Sequence, residues 1–359
     1  MRNENNYLTH GIHPYHAKFI PEIPKEFMHK YSSEGDRILD PFCGSGTTLL
    51  EGMLNSRRCV GVDMNEIAYR ISKAKVFNAD PEILDKYYES IMMRFEDCEI
   101  EKPIIFSNKE TWYSQEVITT FDKLLTLIEK IEDCDYQNIF KIIISSMTKT
   151  VSNKRKIWNN GYIADNVMPD KLYTGNALKV FEQRYKHFRY AYSELQNYLK
   201  TEKYFKPEVY KCNILEYKTK WKFDMIITSP PYPFAVDFAK YNRLSFYWLG
   251  VDVDKSADEE TGARAKRNKK DAEKTFFREM KKIYLHLFSL VKENGYFCMT
   301  VANTRRKNIS INFVQWLIDL FEENGWSLIE NEVRSLQNQS MAQKRIQKEY
   351  KLVFRKDIK

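Results

Sequence analysis

The sequence contains no apolar run approaching the roughly 20 residues that a membrane-spanning helix requires, so no transmembrane segment is expected. Its opening, Met1-Arg-Asn-Glu-Asn-Asn-Tyr7, brings charge with no apolar stretch behind it. Neither a signal peptide nor secretion is predicted, and the cytoplasm is the expected location. Cysteine is scarce. The six residues at 43, 59, 98, 134, 212 and 298 form no Cys-x-x-Cys pair, which argues against the common zinc and disulfide frameworks and predicts reduced thiols. His10, His13 and His16 are spaced like ligands, but no neighbouring cysteine or carboxylate cluster completes a set, so no metal is predicted. Internal repeats and low-complexity tracts are also missing.

What is present is a chain of 359 residues, 43% hydrophobic and 30% charged, the composition of a globular protein able to bury a sizeable core. Lys and Arg number 57 against 49 Asp and Glu, and the net charge of +8 favours a polyanionic partner without proving one. Basic residues outnumber acidic ones from Lys154 to Lys206, where they are interleaved with Tyr162, Tyr173, Tyr185, Tyr190, Tyr192, Tyr198 and Tyr204. Cations that meet phosphates and rings that stack on bases are what a nucleic-acid surface needs. Part of that pattern has a plainer explanation. Phe181, Tyr185, Phe188, Tyr192, Leu195 and Leu199 step by four and three, as a buried helix stripe does. The opposite face then offers Arg184, Lys186, Arg189 and Lys200, the first three of which are the candidate DNA contacts.

Short apolar runs at Asp36–Asp40, Arg58–Asp63, Glu208–Asn213, Asp224–Thr228 and Gly295–Val301 read as strands, with helices between them. The alternation predicts an α/β fold with a mostly parallel, twisted sheet covered by helices on both faces. From 81 to 204 the pattern is helical, at Ile83–Phe95, Val117–Ile131, Ile139–Met147 and Leu178–Leu199, which reads as an insertion between segments 1–80 and 205–359. The charged stretch Asp252–Lys274, with Arg264-Ala-Lys-Arg-Asn-Lys-Lys270 inside it, reads as a mobile surface loop.

Two motifs carry chemistry. Asp40-Pro-Phe-Cys-Gly-Ser-Gly-Thr-Thr48 lies between a predicted strand and a helix; its glycines allow close backbone approach, and the helix start offers free N–H groups to an anion. A phosphate loop would need Gly-Lys-Ser/Thr, and a dinucleotide fingerprint would need glycine near Leu49, which leaves an adenosyl cofactor. Asp63 ends the second strand about 20 residues on, where a carboxylate can accept from two ribose hydroxyls. The second motif, Thr228-Ser-Pro-Pro-Tyr232, follows a strand. Adjacent prolines stiffen the chain and leave carbonyls free. Ser229 and the Pro230 carbonyl can hold an amino group, with Tyr232 stacked on a flipped base.

Together these motifs, with Gly11-Ile-His-Pro-Tyr-His-Ala-Lys-Phe-Ile-Pro-Glu-Ile-Pro24 before them, resemble the DNA amino-methyltransferases that make N4-methylcytosine and N6-methyladenine. The resemblance covers 1–80 and 205–359. It implies a Rossmann-like S-adenosyl-L-methionine-dependent methyltransferase fold. It also implies that Asp40, Phe42, Cys43, Gly44, Ser45, Gly46 and Thr47 bind the cofactor, with Asp63 at the ribose, Asn213 and Ile214 beside the adenine, and Tyr15 and Lys18 closing over it. Asn176 in Thr-Gly-Asn-Ala-Leu is a weaker competitor for the adenine position. The catalytic set is Ser229, Pro230, Pro231 and Tyr232, and serine at the first position is the family's usual mark of cytosine N4 methylation. Double-stranded DNA is the implied partner and a cognate restriction endonuclease a candidate second one. Adenine N6 methylation, RNA amine methylation and a non-catalytic nucleic-acid-binding module are the alternatives. Cytosine C5 methylation fits poorly, because its Pro-Cys pair occurs nowhere in the chain.

Overall fold

The structure, a computed structural model, describes residues 4–15, 18–154, 168–268, 270–306, 309–335 and 348–358. It contains two compact units. One comprises Met1–His16, Lys73–Glu202 and Ala239–Lys255; the other comprises Ala17–Ser72, Lys203–Phe238 and Ser256–Lys359. These divisions differ from the 80/81 and 204/205 boundaries read from the sequence. The reason is packing: in the helical unit Trp248 sets its ring against Phe121 at 4.6 Å and Tyr113 at 5.4 Å. Thr9 Oγ1 donates to the Lys75 carbonyl in the same unit. Segments flanking both motif regions thus belong with the helices.

The second unit holds all the described strands: β1 (Arg37–Asp40), β2 (Arg58–Asp63), β3 (Glu208–Lys211), β4 (Phe223–Thr228), β5 (Val291–Val301), β6 (Thr304–Arg306), β7 (Ile309–Ile311), β8 (Trp326–Ser335) and β9 (Lys348–Lys356). Seven form one sheet in the order β3-β2-β1-β4-β5-β9-β8, and β6 and β7 pair as a separate hairpin. The first five are parallel, whereas β9 runs antiparallel to both β5 and β8, with Phe297 opposite Phe354 and Met299 opposite Leu352. The predicted α/β class with a mostly parallel sheet is therefore present. β6 to β9 are additions that the sequence reading did not contain.

Alternation along the strands sorts the core. Leu39, Ile226, Phe297, Met299, Leu352 and Phe354 join one buried cluster with Met280, Tyr284 and Leu287 of the helix Ala272–Leu290 and Leu317 and Phe321 of the helix Phe313–Glu323. Phe321 stacks on Phe354 at 4.0 Å and meets Phe288 and Phe297 edge-on at 4.6 and 4.9 Å. The intervening Ile38, Met225, Ile227 and Cys298 are fully buried as well, so both faces of the sheet are covered. The helix Thr47–Leu54 packs along β2 and against the helix Glu22–Tyr31.

The other unit is built from the helices Pro81–Phe95, Lys109–Trp112, Gln115–Ile128, Cys134–Met147, Ala177–Leu199 and Arg243–Trp248. Asp80, Ser114, Asp133 and Asn176 cap four of them by accepting a backbone N–H, which fixes where each begins. This capping also explains Asn176: its Oδ1 accepts the Lys179 N–H at 2.8 Å, so it starts a helix. The stripe Phe181, Tyr185, Phe188, Tyr192, Leu195 and Leu199 is buried, as its spacing predicts. The stretch Asp252–Lys274 is not the loop expected. It contains the helix Val253–Glu259, a 3-10 turn at Arg264–Asn268 and the first turn of the helix at Ala272, with Val253, Ala263 and Ala272 buried as apolar anchors. Among the described residues no helix is long and apolar enough to cross a membrane.

Candidate cofactor and substrate site

Strand order reverses between β1 and β4: the chain steps outward from β1 through β2 to β3, then resumes at β4 on the other side. In open α/β sheets the crevice at the carboxyl ends of such strands is where ligands bind. Both sequence motifs lie there. The Asp40 loop leaves β1 and the Ser229 loop leaves β4, its paired neighbour, with Leu39 opposite Ile226. A hydrogen bond joins them directly, from Thr228 Oγ1 to Asp40 Oδ1 at 3.0 Å. Burial pushes the Asp40 carboxyl up to about 7, against the hydrogen bonds it receives from Thr228 and the Phe42 N–H.

The Asp40 to Thr47 loop is held from three sides. Asp63, at the end of β2, accepts the Gly44 N–H at 2.8 Å through one carboxylate oxygen and the Asn65 N–H at 2.9 Å through the other. Burial raises its carboxyl to about 6, and these two donors hold it down. Each oxygen keeps a lone pair, so the group can still accept from a vicinal diol. Cys43 donates its N–H to the Val62 carbonyl, and its buried thiol is pushed well up by burial and by Asp63 and Asp40. Beneath the loop Ser72 Oγ donates to the Gly44 carbonyl at 2.7 Å. Gly46 takes φ +76°, and a Cβ there would lie 2.9 Å from Ser72 Oγ and 3.1 Å from Ser72 Cα, so glycine is required twice over. Ser72 was missed in the sequence because it sits on a helix with no motif around it.

These residues fit S-adenosyl-L-methionine. Thr47 Oγ1 is buried without a hydrogen-bond partner among the described residues, in the first turn of the helix Thr47–Leu54, whose free N–H groups suit the amino-acid carboxylate. Ser45 is buried in the same loop, and Phe42 packs partly buried against the core. Asn213 and Ile214 follow β3: Ile214 is buried in the core, while Asn213 is exposed and uses Oδ1 to accept the Leu215 N–H at 3.0 Å. Lys18 belongs to the same unit, and burial lowers its pKa. Tyr15 is buried in the helical unit, where its N–H donates to the His13 carbonyl.

In the second loop Pro230 is buried, and Ser229, Pro231 and Tyr232 are partly exposed. Ser229 Oγ donates to the Tyr232 hydroxyl at 3.4 Å, and the one hydrogen of that hydroxyl is within reach of two acceptors, Glu349 Oε1 at 3.0 Å and the Thr300 carbonyl at 3.2 Å. Burial raises the Tyr232 phenol, and the Glu349 carboxylate raises it further. Burial also raises Glu349 itself, opposed by Tyr232 and by Arg334 on β8, whose Nη1 is 3.5 Å from Glu349 Oε2. Thr304 Oγ1 donates to the Pro233 carbonyl at 2.8 Å, and Phe234, at φ +56°, donates its N–H to the Gly262 carbonyl. Glu349, Thr300 and Thr304 were not found in the sequence, since they lie on or beside strands whose pairing is long-range.

The candidate DNA contacts belong to the helical unit. Arg189 is held by Asp85 through two bonds of 2.8 Å, Lys186 pairs with Glu182 at 2.6 Å, and half-buried Arg184 reaches Thr150 Oγ1 at 3.4 Å. Tyr162 lies outside the described residues, as does His16. His10 and His13 are buried, and His13 Nε2 is 2.9 Å from Ser145 Oγ. Glu26, Glu330 and Glu332 form the one carboxylate cluster of ligand spacing among the described residues, and Lys30 and Lys351 already pair with it.

A model of the N6/N4 methyltransferase family, described as DNA methylase, matches residues 1–74. The Type II methyltransferase M.MvaI of Kocuria varians is 27% identical over 71% of this chain and 60% of its own length. The Type II methyltransferase M.MjaII of Methanocaldococcus jannaschii is 22% identical over 94% of this chain and 78% of its own. This chain thus spans about 60% of the first of these relatives. The solved rRNA methyltransferase AviRa of Streptomyces viridochromogenes aligns with 99% of this chain and 94% of its own at 10% identity and a TM-score of 0.39, too loose a likeness to bear on function. With both motifs set side by side at the reversal point of a parallel sheet, and with these sequence matches, the chain is similar to the DNA amino-methyltransferases, whose methyl donor is S-adenosyl-L-methionine.

Proposed function

We propose that the protein methylates the exocyclic N4 amine of cytosine in double-stranded DNA. The observation that carries this reading is Ser229 at the mouth of β4, one residue from the Thr228 to Asp40 hydrogen bond that ties the catalytic loop to the cofactor loop. An exocyclic amine is a poor nucleophile because its lone pair is delocalised into the ring, so positioning must supply most of the catalysis. Ser229 Oγ and the Pro230 carbonyl accept the two amine hydrogens, which builds charge on nitrogen and aims its lone pair. Pro231 keeps that turn stiff, and Tyr232, anchored through its hydroxyl, presents its ring to a base flipped from the duplex. Bound S-adenosyl-L-methionine supplies the activated methyl group. Asp40 and the Phe42 to Thr47 backbone hold its methionine end, Asp63 its ribose, and Asn213 and Ile214 its adenine, with Lys18 as a covering residue.

The helical segment 81–204 is the target-recognition region in this reading, with Arg184, Lys186 and Arg189 toward DNA. The Type II designation of both relatives supports a cognate restriction endonuclease as partner. Mass spectrometry of digested DNA after incubation with protein and cofactor tests the base. N4-methylcytosine is expected, and its loss in Ser229→Ala with cofactor and DNA affinities retained would place Ser229 in the chemical step. N6-methyladenine alone would overturn the cytosine assignment, and neither product on any DNA would move the substrate to RNA or protein.

A further inference from the structure

We propose that Glu349 is the end point of a proton relay that starts at the target amine and passes through Ser229 and Tyr232. This rests on the amino-methyltransferase reading of the site and deepens it. The three groups stand in series, with every donor pointing the same way: Ser229 Oγ donates to the Tyr232 hydroxyl, which donates to Glu349 Oε1. The Thr300 carbonyl alone could anchor the Tyr232 ring, since it lies within reach of the same hydrogen at 3.2 Å. A carboxylate at that position adds something a carbonyl cannot, namely the capacity to take the proton it is offered.

The chemistry needs such an acceptor. An amine that gains a methyl carries one proton too many. Its lone pair forms the new N–CH₃ bond while the donor S–CH₃ bond breaks with its electron pair going to sulfur. The surplus N–H bond then breaks and returns its pair to nitrogen. The proton goes to Ser229 Oγ, the original Ser229 hydroxyl proton passes to the Tyr232 oxygen, and the Tyr232 proton passes to Glu349 Oε1. The methylated amine is left neutral, both hydroxyls are restored, and Glu349 ends as a carboxylic acid that later loses its proton to water.

The surroundings of Glu349 suit the task. The loop after β4 presents Tyr232, β8 presents Arg334 at 3.5 Å, and β5 presents the Thr300 carbonyl. Along β9 itself, Lys351 is committed to Glu26 and Glu332. Burial outweighs Tyr232 and Arg334 and raises the carboxyl above the ordinary glutamate range, which brings its proton affinity closer to neutrality. Only the ionised form accepts, so the rate must fall as pH drops through that raised value.

Glu349→Gln tests the relay, because the amide preserves the size and the acceptor for Tyr232 but cannot take a proton. Single-turnover methylation is expected to fall on the order of tenfold to a hundredfold and to lose its acidic limb, with cofactor and DNA affinities unchanged. Tyr232→Phe should give the same flat profile, and the double variant should be no slower than either single one. Infrared difference spectra of the free protein against pH should show a carboxylic acid titrating above the usual glutamate range, absent in Glu349→Gln. A variant with wild-type rate and an intact acidic limb overturns the relay, and so does a slow variant whose limb has not moved, since Glu349 would then only brace the ring. Wild-type protein that methylates no DNA overturns the underlying reading together with the relay, an outcome distinct from a failure confined to the variants.

Discussion

Replacing Gly46 by alanine, with Gly35→Ala as its control, separates two physical terms that usually travel together. Both glycines have positive φ, +76° and +81° respectively, and both belong to the sheet-bearing unit. The left-handed backbone alone costs an L-residue about 1–2 kcal/mol. At Gly35 a Cβ meets nothing within 4 Å, so that term stands alone. At Gly46 the same atom would lie 2.9 Å from Ser72 Oγ and 3.1 Å from Ser72 Cα and Cβ. Ser72 is fully buried on the helix Glu66–Val76 and is also the donor that holds the Gly44 carbonyl, so it cannot simply swing aside. Overpacking of this kind adds about 1–3 kcal/mol. Gly46→Ala should therefore lose about 2–5 kcal/mol against about 1–2 for Gly35→Ala, measured by urea unfolding. Calorimetric titration with S-adenosyl-L-methionine should show weakened binding in the first variant only. Equal losses of stability and affinity in the two would refute the reasoning, because the crowding at Ser72 would then have no consequence.

Two further outcomes follow from the geometry. Thr228→Val removes a donor from buried Asp40, whose folded pKa of about 7 lies above its unfolded value, so the group's stabilising contribution is present at low pH and lost as pH rises through about 7. The variant should cost about 1.5–3 kcal/mol in urea melts above that pH and less below it, and a pH-independent cost would count against the bond. In the helical unit Lys186, exposed and paired with Glu182 on its own helix, should behave as a phosphate contact. Lys186→Ala lowers the salt slope of DNA binding by roughly 0.9, while Arg189→Ala frees Asp85 and costs roughly 0.2–1 kcal/mol of stability. An unchanged slope in Lys186→Ala makes that face a solvated helix surface.

The parts of the molecule that sequence reasoning reached are those where local chemistry is decisive. β1, β2 and β4 are short apolar runs that end in a motif, and the Ala177–Leu199 helix declares itself through six apolar positions at helical spacing. The parts it did not reach depend on distant partners. β8 reads Trp326-Ser-Leu-Ile-Glu-Asn-Glu-Val-Arg-Ser335, with Ile329 and Val333 half exposed at the sheet edge, so its composition does not separate it from a surface segment. Glu349 and Arg334 acquire their meaning only when β8 and β9 come into register. The stretch after Asp252 looked like a loop because its charge is dense, yet a few buried apolar side chains suffice to seat a helix there. Asn176, the weaker competitor for the adenine position, is a helix cap, a role that its sequence neighbours do not distinguish from ligand chemistry.

The position of β9 bears on how the molecule comes into being. β9 follows every other described strand in sequence, yet it lies between β5 and β8. The sheet therefore cannot be laid down in the order in which the chain is made. Until residues 348–356 emerge, β8 has no described strand to join, and the outer ladder of β5 carries open N–H and C=O groups that invite stray pairing. Such long-range closure is slow, because the ordering cost is met before the contacts form. The Asp40 loop needs β1, β2, nearby helices and Thr228 of β4, all of which precede β9 in the chain, so it can form on a growing chain, whereas Tyr232 gains its Glu349 anchor only when β9 threads home. The two halves of the candidate site are thus completed at different times, and a half-made protein holds the Asp40 loop in place before it holds a finished Ser229 loop.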